Sequence, residues 1–586
     1  MKMSIQTNEI MRLQRIALGK EAADVILSGG TVLNVYTGEL LQNYEILISG
    51  ERIAYVGPKQ DFPIGPNTLT LDVQGQVVIP GLIDAHCHME YWMGLREFVA
   101  FILPHGTTTV ITETSAAANG MGIAGVRTFV EKFSAYPLRF FATAPVIAFL
   151  CSQREGKPAV TKTEMLEILE YPEILGLGEI YWSRVVEGIE GDLSELVAKA
   201  RSLGKTVEGH GAGARQGRLN AFVAYGVDSC HEPISCEDVL GRLRLGLATM
   251  IREGSIRREL ETIVPALSEL AIDLRRAILV SDGTWPNHLL QYGHMDFIVN
   301  KAIALGLNPI KAIQMATLNA AEHFHLDTDL GGIAPGKCAD LVVIPSIDKI
   351  EAQLVISKGR VVAQQGKLNI NLPVMNFPAE FSQSIKIRTV TPSFFQISAP
   401  GNSARVRVME MITEIVNMEA ILDMDVDEGV IQLKDNILKI AVIDRFEGTG
   451  RRSLGLIKGY GLRQGAIAIS SGFDEGNAVV IGCDDRDMAF AVNRLQELQG
   501  GVVYICDEKV KVELAFPIYG IVSTLAGSVV AERLNSLIFS LREAGCWAEN
   551  PLLTLLTATF TAIPSLRLTV GGYWLSKENQ IVNLFV

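Results

Sequence analysis

Two histidines separated by one residue, His86 and His88, follow an apolar run at residues 77–83. Alternate side chains of a strand point to the same face, so both imidazoles can reach one point beside the strand. Imidazole nitrogens are suitable ligands for Zn²⁺, Mn²⁺ and Fe²⁺. An isolated His-x-His pair is equally well explained by two unrelated loop side chains, but the apolar run before it favours a metal site at the end of a buried strand.

Four further polar residues stand at the ends of later apolar runs, namely Glu179, His210, His231 and Asp282. Each alone is well explained as a cap or as a hydrogen-bonded buried group. Together with the histidine pair they provide enough imidazole and carboxylate donors for a metal centre, and Glu179 can bridge two ions through its two oxygens. The sequence therefore predicts six metal ligands: His86, His88, Glu179, His210, His231 and Asp282.

These residue types indicate hydrolytic chemistry. A divalent cation lowers the pKa of its water from about 15.7 towards 7, which provides a nucleophile at neutral pH. A carboxylate beside the metal can take the released proton and pass it to the leaving group, and Asp282 is the candidate. We predict that His231 polarises the bond under attack and that Glu179 acts with these two residues in catalysis.

The ligands need a scaffold that brings strand ends together. From about residue 80, short apolar runs alternate with helical patterns, among them Thr107-Thr-Thr-Val-Ile-Thr112 and Ala144-Pro-Val-Ile-Ala-Phe149. About eight such runs predict an α/β fold with a (β/α)₈ TIM-like barrel at residues 79–334, although a doubly wound sheet gives the same alternation. In a barrel, the carboxyl ends of the strands hold the chemistry.

Strand-like segments with glycine turns lie on both sides of the predicted barrel. They occupy residues 1–78, which also contain a helical pattern at 10–22, and residues 335–384. Residues 50–56 and 358–363 have similar sequences, so we predict that the two flanks pair into one small β-sandwich domain. A linker with proline and serine follows, and residues 385–586 are predicted to form a C-terminal α+β domain.

Composition excludes several classes of function. The chain of 586 residues has a net charge of −13 and no basic run, which argues against nucleic-acid binding. No apolar stretch has the length of about 18 residues that a membrane span needs. Eight scattered cysteines contain no Cys-x-x-Cys pair, which argues against a structural zinc knot and favours a reducing cytoplasm. We also expect a homo-oligomer, a dimer or larger.

Several motifs resemble one enzyme family. The segment Val78-Ile-Pro-Gly-Leu-Ile-Asp-Ala-His-Cys-His-Met-Glu90 and the late Asp282 resemble the first-strand motif and last-strand aspartate of the amidohydrolase superfamily. Within it, Leu103-Pro-His-Gly-Thr-Thr-Thr109 and Met315-Ala-Thr-Leu-Asn319 are similar to the adenine deaminases. So is the C-terminal region, as in Asp484-Asp-Arg-Asp-Met-Ala489. The resemblance covers the chain from about residue 23 to about residue 569.

The resemblance implies an activity and a cofactor. Adenine deaminases hydrolyse the 6-amino group of adenine to give hypoxanthine and ammonia, a step of purine salvage. They use two divalent ions, usually Mn²⁺ or Fe²⁺, with Zn²⁺ as a further candidate. Carried over to this sequence, the resemblance implies a metal centre of His86, His88, Glu179, His210 and His231, with Asp282 as the proton carrier.

The chain departs from the family pattern in three places. Thr112-Glu-Thr-Ser115 stands where the family has an Asp-Pro-His-Glu motif. Ser281-Asp-Gly-Thr-Trp-Pro286 stands where the family has paired aspartates and a nearby basic residue. In the C-terminal region, Gly472-Phe-Asp-Glu-Gly-Asn477 keeps an aspartate and an asparagine but has neither histidine of the family's His-Asp-Ser-His-Asn. The departures bear on the substrate more than on the hydrolytic chemistry, because the predicted metal ligands are intact.

Four residues near these places are candidates for substrate binding. Trp182 and Trp285 follow two of the predicted active corners and can stack on a planar base, although ordinary packing explains them equally well. Two further residues fit the family pattern. Glu90 comes soon after the histidine pair, and Asp474 lies in the C-terminal segment that departs from the family motif. We therefore predict substrate contacts for Glu90, Trp182, Trp285 and Asp474.

Two alternatives to adenine deamination stay open at this point. The altered pocket can accept an N6-substituted purine, a related base or a cyclic amide, although the C-terminal region argues against the last. The missing C-terminal histidines also fit a catalytically weak relative that binds a nucleobase.

Overall fold

A computed structural model describes residues 5–152, 159–186, 192–434, 436–474, 476–563, 565–578 and 580–586. The segment 472–477, which departs from the family motif, therefore lies only partly within the described residues, because Glu475 is not among them.

The first flank consists of one helix and five strands. The helix turns Leu13 and Ile16 towards the sheet, where they pack against Leu47. The first two strands form a long antiparallel hairpin. The elements are α1 (Thr7–Ala17), β1 (Val25–Asn34), β2 (Glu39–Ser49), β3 (Arg52–Pro58), β4 (Leu69–Asp72) and β5 (Val77–Pro80).

Eight parallel strands follow within the described residues, in one sheet of five and one of three. Nearly every residue in them is buried, which is the pattern of parallel strands covered on both faces. Ile83, Phe141, Met250 and Val280 belong to one core cluster that the strands share. The strands are β6 (Leu82–Cys87), β7 (Thr107–Thr112), β8 (Arg139–Ala144), β9 (Ile174–Tyr181), β10 (Thr206–His210), β11 (Ser229–Cys230), β12 (Ala248–Arg252) and β13 (Ala277–Val280).

Helices connect these strands. One predicted strand, Ala144–Phe149, is wrong, because the strand ends at Ala144 and a helix begins at Val146. Pro145 lies between them, and proline suits the start of a helix because it has no N–H to satisfy there. The helices are α2 (Leu95–Ile102), α3 (Ser115–Glu131), α4 (Val146–Ser152), α5 (Lys162–Ile168), α6 (Trp182–Val186), α7 (Leu193–Ser202), α8 (Gln216–Ala224), α9 (Cys236–Arg244), α10 (Leu260–Ser268), α11 (Pro286–Tyr292), α12 (Met295–Ala304), α13 (Pro309–Met315) and α14 (Leu318–His323).

Hydrogen bonds join the five-stranded and three-stranded sheets at both seams. At one seam the N–H of Asp228 donates to the carbonyl of Val207 over 2.8 Å. At the other, the Asp84 carboxylate in β6 accepts a 2.6 Å bond from the Ser281 hydroxyl just after β13. The domain is therefore TIM-like, as predicted, and its first and last strands are fixed side by side.

The second flank returns to the first. Its strands are β14 (Leu341–Ile344), β15 (Leu354–Ser357), β16 (Arg360–Gln364) and β17 (Lys367–Leu368). Strand β14 pairs antiparallel with β5, so both flanks contribute to one nine-stranded sheet. The sandwich form of this domain stays a prediction.

The C-terminal region mixes strands and helices. A second nine-stranded sheet and a three-stranded sheet lie in its described residues, with α15 packed on the larger sheet. The elements are β18 (Ser403–Met411), β19 (Asn417–Asp427), β20 (Val430–Ile431), β21 (Ile437–Ile443), β22 (Arg452–Lys458), β23 (Ala466–Ile469), β24 (Ala478–Gly482), β25 (Gly501–Cys506), β26 (Lys509–Ala515), β27 (Leu566–Thr569), β28 (Gly572–Leu575), β29 (Gln580–Val582), α15 (Asp485–Leu498), α16 (Gly527–Glu543) and α17 (Pro551–Thr557).

This region packs directly on the barrel beside the predicted ligands. The Tyr91 hydroxyl donates to the carbonyl of Gly472 over 3.1 Å, and the N–H of Trp92 donates to the carbonyl of Ile521 over 3.0 Å. Helix α16 packs against α11. The segment just after His88 is therefore held by the C-terminal region.

Two expectations from composition concern the whole chain. In the part of the chain that is described, no helix has the length and apolarity needed to cross a bilayer. The cysteines with described side chains are all free thiols: Cys87, Cys230, Cys236, Cys338, Cys483, Cys506 and Cys546.

Candidate metal centre and its cavity

The six predicted ligands meet at the carboxyl ends of the barrel strands. The pair His86 and His88 lies at the end of β6, and Glu179 lies near the end of β9. His210 ends β10, His231 directly follows β11, and Asp282 is the second residue after β13. Parallel strands deliver their carboxyl ends to one face of a barrel, which is why residues so far apart in sequence converge.

Glu179 lies at the centre of the cluster. Its Oε1 atom is 2.9 Å from Nε2 of His88 and 3.6 Å from Nε2 of His86. Its Oε2 atom is 3.0 Å from Nδ1 of His210 and 3.5 Å from Nε2 of His231. Each oxygen thus faces its own pair of histidines, which is the arrangement that lets one carboxylate bridge two cations.

Two overlapping groups of side chains are close enough to share an ion. His86, Glu179, His231 and Asp282 have potential ligand atoms within 4.8 Å of one another. A second group with the same spacing contains His210, His231 and Glu232. Burial, and then the charge of His86, lower the pKa of His231 to about 3, so its imidazole is neutral and keeps a lone pair for a metal.

Asp282 has an unusual backbone conformation. Its φ is 54°, in the left-handed region that side-chain-bearing residues rarely adopt. A 3.0 Å bond from its N–H to the carbonyl of His86 holds this turn in place. The turn directs Oδ1 to within 3.2 Å of Nε2 of His86. Strained residues of this kind cluster at functional sites, where the surrounding structure fixes them.

Arg252 holds the carboxylates beside Asp282. Its side chain is 2% exposed, and its guanidinium donates over 3.1 Å to Asp282 Oδ2 and over 3.1 Å to Glu259 Oε1. It also donates to Glu232. Burial alone would raise the pKa of Asp282, but Arg252 and the hydrogen bonds from the histidines hold that pKa well below its ordinary value. Asp282 is therefore ionised and aimed at the cluster.

The sequence interpretation missed three charged residues of this centre. Arg252 is the last residue of β12, one position beyond the apolar run that marked the strand, and Glu232 directly follows a predicted ligand. Glu113 directly follows β7, in the segment 112–115 that departs from the family motif, and its Oε1 is 3.9 Å from Nδ1 of His86. The signal was the one used for the other ligands, a charged residue at a strand end.

Glu113 is the least satisfied of these groups. It is buried, and neither of its carboxylate oxygens has a hydrogen-bond partner among the described residues. Burial, and then the charge of Glu179, raise the pKa of Glu113. A buried carboxylate without donors, beside imidazoles, indicates that the centre is built for additional positive charge.

A cavity of about 150 Å³ lies over the cluster. We call its charged side the floor, which consists of the six predicted ligands with Glu232 and Arg252. All of these residues except His86 line the cavity itself. We call its opposite, apolar side the roof, which consists of Ile415, Phe473, Phe560 and Ile563 from the C-terminal region. The site is therefore completed by two parts of the chain that are far apart in sequence.

The comparisons with known proteins identify the family. Residues 77–364 match the amidohydrolase family, and residues 414–580 match the adenine deaminase C-terminal domain. The chain is 36% identical over 589 residues to an adenine deaminase of Moorella thermoacetica, covering 98% of this chain and 97% of the relative. It is 35% identical over 582 residues to one of Clostridium botulinum, with the same coverage.

The chain belongs to the adenine deaminase family. A third relative, adenine deaminase 3 of Rhizobium meliloti, is 34% identical over 570 residues. The match covers 96% of this chain and 96% of the relative. Because these adenine deaminases match nearly end to end, both the floor and the roof lie within the shared region.

Three of the substrate-binding candidates do not line the cavity of this adenine deaminase family member. The Glu90 carboxylate accepts a 2.5 Å bond from the N–H of Ala116, and burial raises its pKa to about 8. Trp182 donates its ring N–H to the carbonyl of Ala212 over 2.7 Å. Trp285 packs on Trp92 with 4.4 Å between ring centroids. None of the three is among the residues that line the described cavity.

Asp474, the fourth candidate, connects the two parts of the site behind the roof. Its carboxylate accepts a 2.6 Å bond from the Tyr181 hydroxyl in the barrel. It also accepts 2.8 Å bonds from both the N–H and the hydroxyl of Thr561. Burial raises the pKa of Asp474. Its position next to Phe473 indicates that it holds the roof in place, and it does not line the described cavity itself.

Proposed function

We propose that the protein hydrolyses the 6-amino group of adenine, releasing hypoxanthine and ammonia. The observation that carries the proposal is the end-to-end match to adenine deaminases combined with a cluster of histidines and carboxylates under a small, apolar-roofed cavity. In this reaction a bond from C6 to oxygen forms and the bond from C6 to the exocyclic nitrogen breaks, with water as the other reactant.

The donor set supports a pair of divalent cations. We propose that His86, His88, Asp282 and one oxygen of Glu179 hold one ion, and that His210, His231 and the other oxygen hold the second. Imidazole and carboxylate donors in this ratio suit Mn²⁺ or Fe²⁺, with Zn²⁺ as the next candidate. Bound ions of this kind supply Lewis acidity that makes water nucleophilic at neutral pH.

Asp282 is proposed to carry the proton. It is buried and ionised, and its two oxygens have different partners, His86 on one side and Arg252 on the other. Such a carboxylate can take a proton from the attacking water and pass it to the departing amine, and the amine then leaves as ammonia. His231, which is neutral and faces the cavity, is proposed to polarise C6 as the nitrogen departs.

The roof is proposed to bind the flat faces of the base. Phe473 and Phe560 lie 5.9 Å apart, centroid to centroid, and meet edge to face, so an apolar ring can pack beneath them. Apolar walls also exclude bulk water, which strengthens the electrostatic effect of the floor on the substrate. The predictions of purine salvage, of a cytoplasmic location and of a homo-oligomer go with this function and stay predictions.

The test is ammonia release by purified protein loaded with Mn²⁺ or Fe²⁺. We expect stoichiometric release of ammonia and hypoxanthine from adenine, and none after chelation. A panel with N6-substituted purines and cyclic amides separates the alternatives, because the amine released or the ring opened is diagnostic. No turnover of any substrate with two ions confirmed bound would reject the proposal and favour a nucleobase-binding relative.

A further inference from the structure

Arg242 is a buried arginine outside the cavity. It lies on α9, its side chain is 1% exposed, and it is not among the residues that line the cavity over the floor. A carboxylate oxygen of Asp238 lies 3.9 Å from Nη1 of Arg242 and offsets its charge, although Arg215 donates to the same carboxylate. Nη1 also donates over 3.1 Å to the carbonyl of Asp238, within the same helix. A buried guanidinium needs acceptors for its remaining N–H groups, so their positions show which parts of the fold it holds.

Two of these acceptors stand next to metal ligands. Nη2 of Arg242 donates over 2.7 Å to the carbonyl of Gly211, the residue after His210. Nε donates over 3.0 Å to Sγ of Cys230, the residue before His231. In the proposed metal centre both of these histidines hold the second ion. One planar guanidinium thus joins the end of β10 to the end of β11, at the residues beside the two ligands.

The contact depends on a close approach of the two strand ends. A Cβ atom on Gly211 would lie 2.9 Å from Sγ of Cys230 and 3.6 Å from Nη2 of Arg242. A side chain at position 211 would therefore force the buried thiol to shift. The spacing of the two ligand-bearing strand ends is set at this point by the bonds of Arg242 and by the absence of a side chain.

A second donor holds the same turn. The ring N–H of Trp182 donates over 2.7 Å to the carbonyl of Ala212. Trp182 is the first residue of α6 and follows Glu179, the proposed bridging ligand, by three residues. The turn after β10 is thus held at two consecutive carbonyls, and the strand end that carries Glu179 is tied to it.

The first ion of the proposed pair has a different support. The N–H of Asp282 donates over 3.0 Å to the carbonyl of His86. The Ser281 hydroxyl donates over 2.6 Å to the Asp84 carboxylate. Within the described residues, no hydrogen bond of Arg242 reaches β6 or β13. Separate contacts therefore hold the ligands of the two ions, so one ion can be loosened without the other.

We propose that Arg242, assisted by Trp182, is a positioning residue for the second ion. It sets the relative position of His210 and His231 and thereby the affinity of that ion. The inference rests on the proposed function for the assignment of ligands to the two ions. Removing a contact that orients metal ligands typically costs about 10- to 100-fold in metal affinity. Because Arg242 does not line the cavity, its removal should affect the binding of metal and not that of adenine.

The test is a calorimetric titration of Mn²⁺ into the full-length protein after chelation. The unaltered protein should take up two equivalents. Arg242→Gln should weaken one of the two binding steps by about tenfold or more and leave the other unchanged. Arg244→Gln is the matched control, since Arg244 is exposed on the same helix, and it should bind both ions as the unaltered protein does.

Ligand variants assign the affected step. His210→Ala removes a ligand of the second ion, so the ion that still binds tightly is the first, and adding Arg242→Gln should not change its affinity. In His88→Ala the ion that still binds tightly is the second, and adding Arg242→Gln should weaken it about tenfold. Effects that depend on the background in this way are expected only of residues that act on the same ion.

Kinetics separate a positioning role from a general loss of structure. At low Mn²⁺, Arg242→Gln should release ammonia from adenine slowly. At saturating Mn²⁺ its kcat should recover and its KM for adenine should equal that of the unaltered protein. If Arg242→Gln fails to fold, Trp182→Phe decides, because it keeps an aromatic ring and removes only the donor. It should weaken the same binding step to a smaller extent.

The possible outcomes distinguish this inference from the proposed function. Equal weakening of both steps by Arg242→Gln, or no weakening, overturns the inference and leaves the proposed function intact. Uptake of a single ion by the unaltered protein overturns the two-ion assignment and this inference with it. A selective effect of Arg242→Gln on one of two ions, without ammonia release from adenine by the unaltered protein, rejects the proposed reaction and leaves the positioning role standing.

Discussion

The floor and the roof of the cavity are built in opposite ways. Every ligand of the floor lies in a barrel strand or within two residues of its end, and its charges are interlocked, as in the contacts of Glu179 with four histidines. The roof residues come from the C-terminal region and are apolar, and Phe473 and Phe560 lie outside its helices and strands. The floor is thus charged and built on strand ends, whereas the roof is apolar and set by contacts between domains.

The difference separates two tasks. Chemistry requires groups held within a fraction of an ångström, which regular strands can provide. Selection of a flat base requires a shaped apolar surface, which can vary without disturbing the ligands. We therefore expect changes in the floor to affect stability and kcat, and changes in the roof to affect mainly KM.

The largest expected effect is that of Arg252→Met. It leaves Glu232, Glu259 and Asp282 buried near one another without their shared cation. Removal of one member of a buried ion-pair network typically costs about 3–5 kcal/mol. Thermal unfolding should show a markedly lower midpoint, and adenine turnover should fall with it.

The largely exposed ion pair of Arg275 with Glu322 offers a control for Arg252→Met, at 3.1 Å between Nε and Oε2. Arg275→Met should cost less than about 1 kcal/mol, as surface pairs do. Equal midpoints for the two variants would contradict the central role of Arg252.

The next effect is that of Asp282→Asn on the rate. An amide cannot accept and return the proton, so kcat should fall by a factor of about 10² or more. The histidines and Glu179 remain to hold the ions, so metal content measured by elemental analysis should change little. Loss of the ions together with the rate would show that Asp282 is chiefly a ligand, and would remove its assignment as proton carrier.

A smaller effect is expected for the roof. Phe560 packs edge to face on His210 and on Phe473, at centroid distances of 6.0 and 5.9 Å. Phe560→Ala removes one aromatic contact to the base, worth about 0.5–1.5 kcal/mol, so KM for adenine should rise about three- to tenfold with a smaller change in kcat.

A matched change away from the cavity is Phe394→Ala, since Phe394 packs on Phe395 and beneath Arg452. It should leave KM unchanged. If Phe560→Ala lowers kcat instead and leaves KM as it was, the division of tasks between floor and roof is wrong.

The same division explains what could be predicted from the sequence. The convergence of His86, Glu179, His210 and Asp282 could be predicted because a buried strand is a visible apolar run, and in a barrel the carboxyl ends of the strands meet at one face. Arg252 was missed because the predicted apolar run ended at Ile251, whereas the strand continues for one more residue. The error at Ala144–Phe149 has a similar origin, since a short apolar run fits a strand or a helix equally well.

The roof left no comparable signal. Phe473 and Phe560 are nearly two hundred residues or more beyond the last barrel strand, and no local pattern records which loop of one domain covers another. Trp182 and Trp285 had the more obvious position in the sequence, because Trp182 follows β9 directly and Trp285 comes five residues after β13. In the structure Trp182 donates a hydrogen bond to Ala212, and Trp285 packs on Trp92. Side-chain direction after a strand depends on tertiary contacts that the sequence alone does not reveal.

The smallest expected effect tests the link between barrel and roof. Burial raises the pKa of Asp474, so the folded protein favours the protonated carboxyl more than the unfolded chain does. A group of this kind contributes stability that is present below its unfolded pKa of about 3.9 and is lost as pH rises through the folded value. Asp474→Asn cannot titrate, so it should lose less stability than the unaltered protein as pH rises from acid to neutral.

The measurement is the melting temperature of both proteins from acid to neutral pH, at one heating rate and metal concentration. The melting temperature of Asp474→Asn minus that of the unaltered protein should increase with pH. Asp348→Asn, at an exposed site far from the roof in sequence, controls for the general effect of removing a carboxylate. Parallel curves for Asp474→Asn and the unaltered protein would mean that the carboxylate is as well accommodated as in water. Its bonds to Tyr181 and Thr561 would then offset its burial, and the roof would be fastened to the barrel by an ionised aspartate at neutral pH.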